Sequence, residues 1–151
     1  MSLAMTLHLL AVIVWVGGMF FAHMALRPAV NELLQPPQRL RLMRRVFEGF
    51  FPWVWGAVLL ILPSGYWMLF TVFSEAAPAS QWFMAITGSL MAAIFIFIYF
   101  IPYHQMGQAL QAGEPPRAAR SLMLIRRLIG TNLILGLLVS AVAVAGKYGG
   151  F

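Results

Sequence analysis

Apolar residues fall into four long blocks, Leu3–Leu26, Val46–Phe73, Gln81–Tyr103 and Leu128–Ala145, separated by short polar stretches. The blocks do not alternate apolar with polar positions, which excludes the strands of a membrane β-barrel. Each can supply the ~20 helical residues that cross a bilayer. The pattern therefore predicts an all-α, integral membrane four-helix bundle, with residues 1–151 as a single transmembrane domain. The first block has no basic leading segment, its apolar run is too long for a signal peptide, and no small-residue cleavage site follows it. It is expected to remain as a span.

The polar stretches are unequal. Arg27, Arg39, Arg41, Arg44 and Arg45 follow the first block, and Arg117, Arg120, Arg126 and Arg127 follow the third. The stretch after the second block, SEAAPAS, carries only Glu75. The positive-inside rule places both basic loops in the cytoplasm and both termini outside a bacterial-type inner membrane, with Lys147 the one dissenting charge. Pro36-Pro37 and Pro115-Pro116 suit the first turn of a helix, where no N–H donor is needed. Gln38–Arg45 is then expected to run helically into span two, with Arg44 and Glu48 paired four residues apart. Gly113 and Glu114 mark the corresponding turn before span four. Pro52 and Pro63-Ser64-Gly65 predict a kink in span two. Asn132, Gly136 and Ser140 recur every four residues, which predicts a close helix contact with an Asn hydrogen bond across it.

Composition supports the membrane reading. The chain is 62% hydrophobic and 9% charged, whereas charged residues make up about a quarter of a soluble domain. There is no cysteine, which excludes disulfides, thiolate metal sites, iron–sulfur clusters and covalently attached haem. The net charge of +6 clusters beside the spans, so membrane lipid and not nucleic acid is the expected partner.

Two stretches match. AHMALRPAVNELLQPPQRLRLMRR runs from Ala22 to Arg45, and YHQMGQALQAGEPPRAARSLMLIRR from Tyr103 to Arg127. Both read histidine, methionine, Ala-Leu, Pro-Pro, Arg-Arg, although the Pro-Pro to Arg-Arg spacing differs by three residues. The match suggests two pseudo-symmetric helical hairpins with His23 and His104 at equivalent depth. Facing imidazoles could ligate haem b iron, with Arg27, Arg44, Arg45, Arg126 and Arg127 as candidate partners for its propionates. The plain alternative is that the histidines hydrogen-bond at the interface and that topology alone accounts for the arginines.

His8 stands apart, roughly 22 Å along span one from His23 and roughly 60° around it. The stripe His8, Val12, Trp15, Met19, Ala22, Leu26 is the candidate inward face of span one. The position in span three that corresponds to His8 is Ser89, and span two reaches the depth of His8 near Ser64–Met68. Met5, His8 and Met68 form a candidate soft-donor set for Cu(I), although most methionines are expected simply to pack.

Leu7-His8, Val14-Trp15-Val16-Gly17-Gly18, Phe51-Pro52-Trp53-Val54-Trp55, Ser64-Gly65-Tyr66 and Arg126-Arg127 with Asn132 resemble the copper resistance protein D (CopD) family over nearly the whole chain. The His8 spacing and Tyr103-His104 also resemble the four-helix haem-containing protoporphyrinogen oxidases (HemJ). That resemblance implies haem b, with Met84 the candidate replacement for a histidine that those enzymes carry early in span three. Three functions are open to such a chain. The first is a b-type haem protein in electron transfer or oxidoreduction, served by a membrane redox partner or quinone. The second is copper uptake or tolerance. The third is a structural or assembly subunit. Gly17-Gly18 would permit close helix contact within one chain or in a homodimer.

Overall fold

The computed structural model describes residues 2–73 and 77–149, with side chains over 3–72 and 77–147. Glu75 and the residues on either side of it lie outside the described residues. The described chain is helical almost throughout. Helix α1 (Ser2–Phe21) passes through a π-helical turn (Ala22–Leu26) into α2 (Arg27–Leu33). Helix α3 (Pro36–Met68) ends in a second π-helical turn (Leu69–Phe73), and α4 (Ala79–Phe100), α5 (Pro102–Gln111) and α6 (Pro115–Gly149) come after it. Four continuous helical stretches, Leu3–Leu33, Pro36–Val72, Ala79–Gln111 and Pro115–Lys147, are long and apolar enough to cross a membrane. A stretch of 33 residues is about 50 Å long, well beyond the ~30 Å of a bilayer's hydrocarbon. The surplus lies at one end, where α2 and the opening turns of α3 and α6 carry the arginines.

The two hairpin turns at this basic end arise from local chemistry. Pro36 and Pro115 open α3 and α6, as expected of residues that lack an N–H. The Gln35 backbone N–H donates to Gln38 Oε1 at 3.2 Å, which closes a capping box at the start of α3. In the other hairpin Gly113 takes φ +69°. The Glu114 N–H then bonds the Ala109 carbonyl at 2.9 Å and the Gly113 N–H bonds the Leu110 carbonyl at 3.3 Å. This pair of bonds is the Schellman arrangement, which satisfies the last carbonyls of α5. Arg39 does the equivalent work for α2, donating from Nε to the Leu34 carbonyl and from Nη2 to the Asn31 carbonyl, both at 2.6 Å.

Helix α1 packs chiefly on α3, and α4 and α5 pack on α6. The hairpins join through α3 against α4 and α1 against α6. The stripe expected on α1 does face inward: Trp15 and Met19 are buried, and His8, Val12, Ala22 and Leu26 are half-buried. In the core, Phe51 stacks on Phe47 with ring centroids 5.1 Å apart and meets Phe95 and Tyr103 edge-on at 5.5 and 4.9 Å. Trp15 and Trp55 close on Phe95 at 6.2 and 5.2 Å. Rings from α1, α3, α4 and α5 thus form one cluster with edge-to-face geometry. Asn132, buried, donates to the Met91 carbonyl at 3.0 Å. Gly136 lies so close to Val16 and Met91 that a Cβ there would approach them at 2.8 and 3.2 Å. The small-residue stripe on α6 is a packing face, as expected. Helix α3 runs through Pro52 and Pro63 without interruption.

Removing the ring at the centre of the cluster should be costly. We predict that Phe51→Ala lowers stability by about 3 kcal/mol, measured as a drop in unfolding midpoint in detergent. At the turn, Gly113→Ala forces a Cβ into the left-handed region and should cost about 1 kcal/mol, with no change in helix content by circular dichroism.

Candidate functional site

Two polar centres occupy opposite ends of the bundle. At the end away from the arginines, His8 on α1 reaches α3, where its Nδ1 lies 2.8 Å from Ser64 Oγ. A close approach makes this possible: a Cβ on Gly65 would meet His8 Cε1 at 3.3 Å. The Ser64 hydroxyl proton is engaged by the Leu60 carbonyl, with Ile61 a second acceptor at 3.2 Å. In the tautomer with the proton on Nδ1, Ser64 Oγ accepts from His8. The Nε2 lone pair is then available to a ligand, the arrangement in which a hydrogen bond at one ring nitrogen fixes metal-binding geometry at the other.

The same segment of α3 reaches the other way as well. Tyr66 Oη lies 2.8 Å from Ser89 Oγ on α4, and Ser89 itself donates to the Ala85 carbonyl at 2.8 Å. Ser64-Gly65-Tyr66 thus links α1 and α4 at one level, and Ser89 is the position expected to correspond to His8. Because α1 and α3 run antiparallel, Met5, three residues before His8, and Met68, four after Ser64, both lie about one turn further toward that end. Met68 is half-buried and Met5 exposed. Met84 is half-buried near the start of α4. Among the described residues, no three His, Cys, Asp or Glu side chains converge as a metal site.

At the basic end, His23 lies within the π-helical turn and is half-buried. Its ring rests on Gly130 of α6, where a Cβ would meet Cε1 at 3.2 Å. It lines an open cleft of about 650 Å³ together with Arg27, Arg39, Arg120, Arg126 and Arg127. A smaller void beside it is bounded by His23, Arg27, Arg126, Met43 and Phe47. Arg126 Nε and Nη2 are buried with no hydrogen-bond partner among the described residues.

His104 does not share the cleft that His23 lines. Pro102 opens α5 after Ile101 (φ −110°, ψ −83°) breaks the helix, and Tyr103 turns into the aromatic cluster. His104, one residue further and so about 100° around the helix, is exposed and absent from the lining of the cleft. Nor do the five expected arginines form one ring. Arg27, Arg126 and Arg127 share the cleft. Arg44 instead donates to the Tyr103 carbonyl at 2.7 Å, lies 3.9 Å above the Tyr103 ring and pairs with Glu48 at 3.3 Å. Arg45 also pairs with Glu48, from the surface. The Arg44–Glu48 pair matches its expected spacing. Arg39 and Arg120 were not singled out by the sequence pattern. The Pro-Pro turns that precede them could have indicated that a returning helix brings them back beside Arg27.

No curated protein and no solved structure matches the chain. The sequence profile of copper resistance protein D matches residues 44–145. That stretch includes Ser64, Met68, Met84, His104 and the Arg126-Arg127 pair, while Met5, His8 and His23 precede it. With about two-thirds of its 151 residues matched and four membrane-length helices observed, the chain belongs to the copper resistance protein D family.

Proposed function

We propose that this membrane protein handles copper, taking Cu(I) as cargo at the end of the bundle away from the arginines. The observation that carries the reading is the His8–Ser64 bond, which leaves Nε2 as a donor on a ring held by a neighbouring helix. Imidazole and thioether suit Cu(I), and Met5 and Met68 stand one turn beyond His8. The family name points to the same metal. With the arginine-rich turns in the cytoplasm, this end faces outside, where copper would be met before passage or sequestration.

A haem b oxidoreductase is less well supported. Axial ligation by two histidines from this chain would draw on His23 and His104, and His104 is exposed and outside the cleft that His23 lines. His23 with Arg27, Arg126 and Arg127 offers one imidazole beside a cationic cleft.

The full-length protein in detergent, titrated with Cu(I) under reducing conditions against a chromophoric chelator, should bind copper, and His8→Ala should abolish that binding. Unchanged copper affinity in His8→Ala would refute the site. So would a Soret band in the purified protein that disappears with His23→Ala and survives His8→Ala. Ser64→Ala keeps the ligand and removes the group that orients it. We expect affinity to fall by about tenfold, with Met68→Leu weakening binding further in the same titration.

A further inference from the structure

The cleft at the basic end has features that copper handling does not require. Its wall carries five arginines and no carboxylate. Among the described residues, Glu48 is engaged by Arg44 and Arg45, and Glu114 by Arg117. Glu32 is exposed and outside the lining. Arg39 is committed to the carbonyls at the end of α2. Arg126 is different: two of its guanidinium nitrogens are buried and unpartnered, with Arg27 and Arg127 on the same wall. Topology alone favours arginines on the surface of these loops. It gives no reason to bury two guanidinium nitrogens between the π-helical turn, α3 and α6, where a cation without an anion is unfavourable.

The missing anion can be specified further. Guanidinium forks match the oxygens of phosphate, and clustered arginines favour a group with several acceptor oxygens. Beside the arginines, His23 and Asn31, the wall is apolar, formed by Pro36, Leu40, Leu122 and Met123 among others. Met123 is also exposed on the flank of α6, so an apolar tail can leave the cleft along the lipid-facing surface. The cleft sits where the apolar blocks give way to arginines, which is the headgroup level, and basic pockets between helices there recognise anionic lipids. A free phosphate would satisfy Arg126 but leave the apolar wall unused.

We propose that this cleft binds the phosphate of an anionic phospholipid, with Arg126 as its anchor, Arg27 and Arg127 beside it and the His23–Gly130 contact forming the inner wall. The inference is independent of the copper reading.

The test uses the full chain, delipidated in detergent and supplied with phosphatidylglycerol, phosphatidylcholine or inorganic phosphate. Retained lipid is read by native mass spectrometry, and the unfolding midpoint is measured in parallel. The wild type should retain phosphatidylglycerol selectively and gain stability from it, with no equal gain from inorganic phosphate. Arg126→Gln should weaken retention by about tenfold, the loss of one charge-assisted contact. Arg126→Lys should fall between, and Arg117→Gln, outside the cleft, should match the wild type. Without anionic lipid, Arg126→Gln should be at least as stable as the wild type, because it removes an uncompensated buried charge. This reversal separates lost binding from misfolding. Undiminished phosphatidylglycerol retention by Arg126→Gln, equal retention of phosphatidylcholine, or equal stabilisation by inorganic phosphate would each overturn the proposal.

Discussion

Inside a bilayer there is no water to complete a hydrogen bond, so each polar group has to find its partner within the protein. This requirement organises the bundle. His8 is matched by Ser64, Tyr66 by Ser89, Asn132 by the Met91 carbonyl and Arg44 by the Tyr103 carbonyl. Each of these bonds joins two spans, so the polar residues fix the relative position of helices whose apolar faces alone would slide. Two groups break the pattern: Asn132 Oδ1, buried without a partner although its amide nitrogen is bonded, and the guanidinium of Arg126. Among the described residues Arg126 is the cation whose buried nitrogens lack a partner, and it stands beside a cleft. Its exception marks that end of the molecule as more than scaffold.

The aromatic cluster works by a different principle. Association of helices in lipid gains little from burying apolar area and depends on contact and shape. Phe51, Phe95 and Tyr103 meet edge to face, and the guanidinium of Arg44 covers the outer side of Tyr103. Packing and electrostatics therefore converge on Tyr103. Tyr103 is held in the core, and His104, one residue further on, is exposed.

The repeated His-to-Arg-Arg stretches correspond to real architecture and unequal chemistry. Both copies build a hairpin closed by a proline-initiated helix. One copy then carries its histidine in a π-helical turn that leads smoothly into α2. The other breaks at Ile101 and restarts at Pro102. A π-helical turn inserts a residue into the helical register and re-aims the side chains beyond it. A break before proline resets the register altogether. Equivalent positions in the two copies consequently face different surroundings.

The helices and their ends were legible in the residues themselves. Four apolar blocks specify spans, arginine clusters mark one end, and Pro-Pro with Gly113 specifies where the hairpins turn, because these are local preferences of backbone and solvent. The inward stripe of α1, the Asn132–Gly136 face and the Arg44–Glu48 pair were legible too, since helical periodicity alone sets them. The sequence also suggested the level at which His8 meets span two, through a count of residues from the basic end. Tertiary structure decided which side chains share a site. Whether His104 faces His23, and whether Arg44 or Arg126 lies in the cleft, depends on rotation about helix axes. Rotation is set by the fit of Phe51 to Tyr103, of His23 to Gly130 and of His8 to Gly65. Those contacts join residues far apart in the chain, and no local pattern encodes them.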